Sequence, residues 1–187
     1  MRRCRARISV LLSVLLLVLV VPTASAGVVR TDYSAFQFPM GFPGTELLGY
    51  PPCPYAYATF PFPACVKDPG TVTHPGHGRW TIRNMVTLDG VLSTSASPSG
   101  TQIATLNANL DASGNGPAWG TFTTYTFAGG PTFSGTWNGT FENARMGGHF
   151  VATGLGPNAG LHFTGDHLMA DIPNVGNVIG VVKQTGP

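Results

Sequence analysis

Two histidines, His149 and His167, are the first side chains in this sequence that could carry chemistry near neutral pH. Imidazole is the side chain whose ordinary pKa lies closest to neutrality, so it can serve as a base, a proton donor or a metal ligand. If the turn at residues 157–159 is a three-residue loop, strand pairing places His149 opposite His167. No further ligand falls on that face, and zinc takes three or four protein ligands, so we predict no metal and no cofactor.

Glu142 is the third candidate, at the end of the segment 132–142. If its face of the strand lined the interior, burial would raise its pKa and make it a proton donor or base. The alternative is an exposed acid at a strand end. No Gly-x-Ser-x-Gly nucleophile sequence occurs, so candidate catalytic groups are sparse and we expect a protein that is not an enzyme.

The clearest structural pattern belongs to residues 132–142. Hydroxyl, amide and acidic residues fill every second position, and aromatic residues and glycines fill the others: Phe133, Gly135, Trp137, Gly139 and Phe141. Side chains on a strand alternate between its two faces, so one face carries rings and glycines and the other is polar. We predict that the face with the rings points into a strongly curved sheet.

Beyond residue 77 the chain reads as eight short strands separated by glycine-rich turns. In the first strand, Trp80, Ile82, Val86 and Leu88 fall on one face. Short connections favour antiparallel pairing, because a parallel crossover needs a dozen or more residues. We predict an all-β fold, a single antiparallel, eight-stranded closed barrel, with a two-sheet sandwich as the alternative. The expected strands are residues 79–88, 91–96, 103–110, 119–127, 132–142, 148–154, 161–169 and 175–183.

Residues 33–63 have a different character, with nine aromatic residues and seven prolines. Proline has no N–H to donate and fixes its own φ, so we predict neither a helix nor a central strand here. We expect the segment to pack on the barrel, stapled by a disulfide between Cys53 and Cys65. The alternative is an exposed aromatic surface that contacts a ligand or a carbohydrate.

The first 26 residues have the three parts of a signal peptide: four arginines, an apolar stretch at 8–21, and a small-residue cleavage site that ends at Ala26. We predict a secreted protein with a segment at 27–76 and a barrel at 77–187. Removal of the leader leaves six Lys and Arg against eight Asp and Glu, a net charge of −2. That charge gives no footprint for nucleic acid and no basic cluster for a membrane surface, and we expect no integral membrane insertion.

One stretch resembles a known family. It begins with Gly139-Thr140-Phe141-Glu142 and continues into a G-x-G-x-x-x-G-L turn at residues 154–161. In these features the chain resembles bacterial domains of unknown function with an allene-oxide-cyclase-like barrel. The resemblance covers about the last third of the chain and implies a closed antiparallel barrel, but it implies no activity, because the matching positions shape the backbone.

We therefore expect a secreted barrel that binds a small apolar or aromatic ligand, or a surface partner. The residues expected to line the ligand site are Trp80, Trp119, Phe133, Trp137 and Phe141. A cyclase or isomerase is the first alternative, and it requires Glu142, His149 or His167 to point into a cavity. A structural protein of the cell envelope is the second.

Overall fold

The computed structural model describes residues 29–41, 45–58, 63–74, 78–94, 99–143, 145–169 and 176–184, and the predicted leader lies outside them. The described chain is all-β, as predicted. Two 3-10 turns cover Thr45–Leu48 and Gly156–Asn158. The strands are β1 Val29–Pro39, β2 Ala56–Ala58, β3 Ala64–Asp68, β4 Thr71–Thr73, β5 Trp80–Ser93, β6 Gly100–Leu110, β7 Gly116–Thr126, β8 Pro131–Glu142, β9 Arg145–Gly154, β10 Leu161–Met169 and β11 Gly176–Gln184.

Eight of these strands form a ring in the order β1, β11, β10, β9, β8, β7, β6, β5, and all neighbours are antiparallel. The ring returns on itself where residues 35–39 of β1 pair with residues 89–93 of β5. The strands are not evenly spaced round an axis. The other half of β5 pairs with β3 and β4, and β2 extends the sheet beyond β3. The prediction of eight antiparallel strands in one ring is confirmed.

The ring takes one strand from the segment that we expected only to cover it. β1 is paired on both sides, with β11 and with β5, so the expectation of no central strand in residues 33–63 is wrong for its first part. The physical reason is that Pro39, the first proline of that segment, lies at the very end of β1, where a missing N–H does least harm. The predicted strands 79–88 and 91–96 are a single strand, β5. The ring therefore crosses the boundary that we expected at residue 77.

β8 keeps the alternation that its sequence predicts. Phe133 and Phe141 are buried, whereas Thr136 is exposed. Gly135 lies where β8 passes close to β9, and a Cβ at this position would be 2.0 Å from the carbonyl oxygen of Val151. Only glycine fits such an approach, so it permits the tight coiling of these two strands.

The segment after β1 packs on the outside of the ring. Its Met40 and Tyr50 form one buried cluster with Phe38 of β1 and Cys65 of β3. The Tyr50 hydroxyl donates a hydrogen bond of 2.6 Å to the carbonyl oxygen of Val91 in β5. The predicted disulfide between Cys53 and Cys65 is present and ties this segment to β3.

Inside the ring, two apolar clusters occupy different levels. One contains Ile82, Met85, Leu106, Ala108, Leu110 and Phe141. The other contains Phe122, Phe133, Phe150 and Phe163. Residues of both clusters line one internal cavity, so the interior is packed at two levels with a space between them.

Candidate functional site

The internal cavity has a volume of about 120 Å³. Its walls are mainly apolar, and the aromatic residues among them are Tyr33, Phe38, Phe122, Trp137, Phe141, Phe150 and Phe163. The Phe150 ring meets Phe163 edge-on, with ring centroids 4.7 Å apart, so the wall is fixed by ring-to-ring packing. An engineered apolar cavity of about 150 Å³ holds benzene, so the present cavity suits a molecule no larger than a single ring.

Asp89 brings a carboxyl group into this apolar cavity. Nε2 of Gln37 in β1 donates a hydrogen bond of 3.2 Å to Oδ2 of Asp89, and the Gln102 side chain in β6 also bonds to the carboxylate. Burial raises the pKa of Asp89 to about 7, against the opposing effect of the bonds from Gln37 and Gln102. Asp89 is half-buried by its side-chain exposure and lines the cavity. At pH 7 the carboxyl group is therefore about half protonated.

A β-bulge explains why Asp89 faces inward and why the sequence did not reveal it. Ile82 pairs with Ala108 and Met85 pairs with Leu106, so β5 carries one extra residue between these pairs. Asn84 lies there in the left-handed region, with φ of 54°, which asparagine tolerates better than most residues. Its N–H is bonded at 3.0 Å to the side-chain oxygen of Asn107.

The bulge reverses the alternation along the rest of β5. Beyond it Met85, Thr87, Asp89 and Val91 face inward, whereas strict alternation from Trp80 would turn the even-numbered residues inward. The prediction that Trp80, Ile82, Val86 and Leu88 share one face is therefore wrong, because Val86 and Leu88 lie on the opposite face from Ile82. The signal in the sequence was the Arg83-Asn84 pair, which interrupts an otherwise apolar alternation.

His167 also lines the cavity, and its side chain is buried. Its Nδ1 lies 2.8 Å from the carbonyl oxygen of Met146, and because a carbonyl can only accept, Nδ1 carries the proton. Burial lowers the pKa of His167, while the bond to Met146 opposes that change. The imidazole is therefore neutral at pH 7, and its Nε2 has a free lone pair that can act as a base or accept a hydrogen bond.

The expected aromatic residues fall in three places. Trp137 and Phe141 line the cavity, and Phe133 is buried beside it in the cluster with Phe163. Trp80 packs against the apolar cluster at the far end of β5 and stacks on His74, with ring centroids 3.9 Å apart. Trp119 does not line the cavity. It is exposed on the outer face of β7, where the Arg83 guanidinium lies 5.3 Å from its ring centroid.

Glu142 and His149 are both exposed, and His149 is also among the residues that border the internal cavity. The connection between β9 and β10 covers residues 155–160 and is not a three-residue turn, so the predicted pairing of His149 with His167 is wrong by one position. His149 instead pairs with Asp166, and its Nδ1 lies 2.9 Å from Oδ1 of that carboxylate. Within the described ranges, no three His, Cys, Asp or Glu side chains lie close enough together to hold a metal ion.

Comparison of the chain with protein-family models, with curated proteins and with solved structures found no match. The resemblance to the allene-oxide-cyclase-like barrels therefore stays a prediction. In the parts of the chain that the structure describes, no helix has the length and apolar character needed to cross a bilayer.

The cavity combines an apolar wall with a few polar groups of defined protonation. Below pH 7 the Asp89 carboxyl group can donate a hydrogen bond, and the His167 Nε2 can accept one. Such an arrangement can orient an uncharged ligand, and it can also move a proton from one atom of that ligand to another.

Proposed function

We propose that this is an exported protein that binds a compact, uncharged and largely apolar molecule inside the ring. The observation that carries the proposal is the Asp89 carboxyl group, held by Gln37 and Gln102 within an apolar cavity. Pockets of this kind, apolar with a few convergent polar groups, are the usual form of a small-molecule site.

The polar groups restrict the ligand to an uncharged molecule with a hydrogen-bond acceptor. A protonated Asp89 donates a hydrogen bond, which suits a carbonyl or ether oxygen of the ligand. An anionic ligand would face a carboxyl group that is partly ionised at pH 7, and it would lose its own hydration in an apolar space. A single-ring ketone fits both the chemistry and the volume of about 120 Å³.

Export is the part of the proposal that rests on the leader at residues 1–26. The disulfide between Cys53 and Cys65 supports it, because such bonds persist in oxidising compartments. N-terminal sequencing of the protein from its own host tests the export directly. A mature chain that begins at Gly27 is expected, and a retained Met1 would contradict it.

Titration with cyclohexanone, followed by the NMR signal of the Trp137 indole N–H, tests the binding. Ala104 lines the cavity, so Ala104→Leu fills it, whereas Thr105→Leu adds similar bulk to the other face of β6. We expect saturable binding by the wild type and by Thr105→Leu, and none by Ala104→Leu. Binding should weaken as the pH rises through 7, because Asp89 loses the proton that it donates. Equal binding by all three proteins would overturn the proposal.

Proton transfer, as in an isomerase, is the second candidate function. It is favoured by one observation: an acid with a pKa of about 7 and a neutral imidazole with a free Nε2 line the same cavity. Acid–base catalysis typically uses a pair of groups of this kind: burial raises the pKa of one acid to about 7, and the other group stays uncharged. Protonated Asp89 would donate to a carbonyl oxygen while His167 removes a proton from the adjacent carbon.

Exchange of deuterium from solvent into cyclohexanone separates the two functions. An enzyme would accelerate exchange at the carbons beside the carbonyl group, and Asp89→Asn or His167→Gln would each slow it by about 100-fold or more. A binder would leave exchange at the solvent rate while still binding the ketone. The structural role in the cell envelope has less support, because Phe38 and Tyr50 of the aromatic segment are buried against β5.

A further inference from the structure

A second and larger cavity, of about 350 Å³, opens at one end of the ring. It lies where β7 ends and β8 begins, and where β1 and β10 begin. This cavity, here called the mouth pocket, shares Tyr33, Val91, Thr124 and Phe163 with the internal cavity. The Tyr33 and Phe163 rings are in edge-on contact, with centroids 4.8 Å apart, and this pair borders both spaces.

Hydroxyl groups dominate the polar lining of the mouth pocket. They belong to Thr31, Tyr33, Thr101, Thr124, Tyr125, Thr126 and Thr132, and the Asn158 amide joins them. Thr124 and Thr132 are oriented by each other, with their Oγ1 atoms 2.6 Å apart. Burial raises the pKa of Tyr33 to about 12, so its hydroxyl keeps its proton and can donate as well as accept.

The floor of the mouth pocket is aromatic. The Phe133 and Phe163 rings are buried there, with centroids 5.2 Å apart. Aromatic faces offer an apolar surface of low conformational cost, on which the C–H face of a saturated ring can lie. Hydroxyls above such a floor can then bond to the polar rim of the same ligand.

The charge of the lining disfavours anionic ligands. Asp32 is the one charged residue among the described residues that line the mouth pocket, and no Lys or Arg is among them. An anion would therefore find no cation to pair with and would meet a carboxylate. The hydroxyl groups, by contrast, each donate and accept, as the hydroxyl groups of a ligand do.

We propose that the mouth pocket is a second binding site, which takes an uncharged polyhydroxylated ring such as a monosaccharide. The ligand lies with its C–H face towards Phe133 and Phe163 and its hydroxyl groups towards Thr31 and Tyr33. The site borders the internal cavity, but the proposal rests on the mouth-pocket lining alone and not on the function proposed for that cavity.

The experiment is an NMR titration of protein labelled at its threonine methyl groups. The probes are methyl glucoside, methyl galactoside and N-acetylglucosamine, with glucosamine as a cationic control and glucuronate as an anionic one. Thr31→Val and Tyr33→Phe each remove one hydroxyl and keep the shape of the side chain. Thr136→Val makes the same change on the outer face of β8, where the residue is exposed.

We expect at least one neutral sugar to bind saturably, with affinity in the millimolar range, and to shift the methyl signals of Thr31, Thr124 and Thr126. Loss of one hydrogen bond should weaken binding about fivefold in Thr31→Val and in Tyr33→Phe, and Thr136→Val should bind as the wild type does. The proposal is overturned if no neutral sugar saturates, if only glucosamine binds, or if both mouth variants bind as tightly as Thr136→Val. Unchanged methyl signals elsewhere show that each variant is folded.

Discussion

Replacement of Asp89 by asparagine should change how the free energy of unfolding depends on pH. Burial raises the pKa of Asp89 from 3.8 to about 7 in the folded protein, and the unfolded chain keeps the ordinary value. A difference of about three pKa units corresponds to about 4 kcal/mol, at about 1.36 kcal/mol per unit. Asparagine has the same shape and carries no charge, so the variant lacks this dependence.

The sign follows from which state holds the proton. Between about pH 4 and pH 7 the folded protein keeps a proton on Asp89 that the unfolded chain has lost, so stability falls as the pH rises. The slope is about 1.4 kcal/mol per pH unit, and the loss is complete above pH 7. His167 acts in the opposite direction: because burial lowers its pKa, the protein loses stability as the pH falls below 6.5. Both proteins contain His167, so its contribution cancels in the difference between their free energies of unfolding.

Denaturant unfolding from pH 4 to pH 8, with the disulfide intact, measures the effect. The free energy of unfolding of Asp89→Asn minus that of the wild type should rise by up to about 4 kcal/mol across this range. Glu142→Gln, which removes an exposed carboxylate, serves as the control and should give a nearly constant difference. A constant difference for Asp89→Asn as well would show that Asp89 is not held protonated in the cavity, and the site would lose its central group.

Three further predictions concern the scaffold, and denaturant unfolding measures each of them. Reduction of the Cys53–Cys65 bond, which closes a short loop with a sequence separation of 12, should lower the free energy of unfolding by about 3 kcal/mol. No loss would mean that the segment between β1 and β3 contributes nothing to the cooperative fold. Gly135→Ala should lower stability by at least about 2 kcal/mol, because its Cβ would lie 2.0 Å from a backbone oxygen. In the control Gly130→Ala the nearest atom is 3.7 Å away, so the loss should be less than about 1 kcal/mol. Equal losses would contradict the close approach of β8 and β9. Trp119→Ala should lower stability by less than about 1 kcal/mol, because the indole is exposed on the outer face of β7. A loss typical of a core tryptophan would contradict that position.

Where local alternation is unbroken, the sequence predicted side-chain orientation correctly. Along β8, Phe133 and Phe141 turn inward as expected, and β6 keeps a regular alternation in which Ala104 and Leu106 are buried. Both strands pair with neighbours on each side over most of their length, without an irregularity between these residues. Alternation is then a direct consequence of backbone geometry.

The prediction of side-chain orientation failed where the backbone departs from that geometry. The bulge at Asn84 reverses the faces of β5, and the unpredicted length of the loop after β9 shifts His149 away from His167. A one-residue change moves every later side chain to the other face, so two local errors were enough to hide Asp89 and to misplace a histidine. β1 was missed for another reason, since composition averaged over residues 33–63 concealed a proline-free stretch at its start.

The energetic effect of Asp89 is itself an argument that the cavity has a function. Above pH 7 the ionised group lowers the stability of the fold, whereas its neighbours Thr87 and Val91 line the same wall of β5 without a titratable group. Gln37 and Gln102 can bond to an amide as well as to a carboxyl group, so the hydrogen-bond network alone does not require an acid. If Asp89→Asn proves more stable than the wild type at pH 8 and binds cyclohexanone without pH dependence, the carboxyl group is retained for its proton, at the expense of stability. If the variant is more stable and binds with the same pH dependence, the proton comes from another group, and the role assigned to Asp89 is wrong.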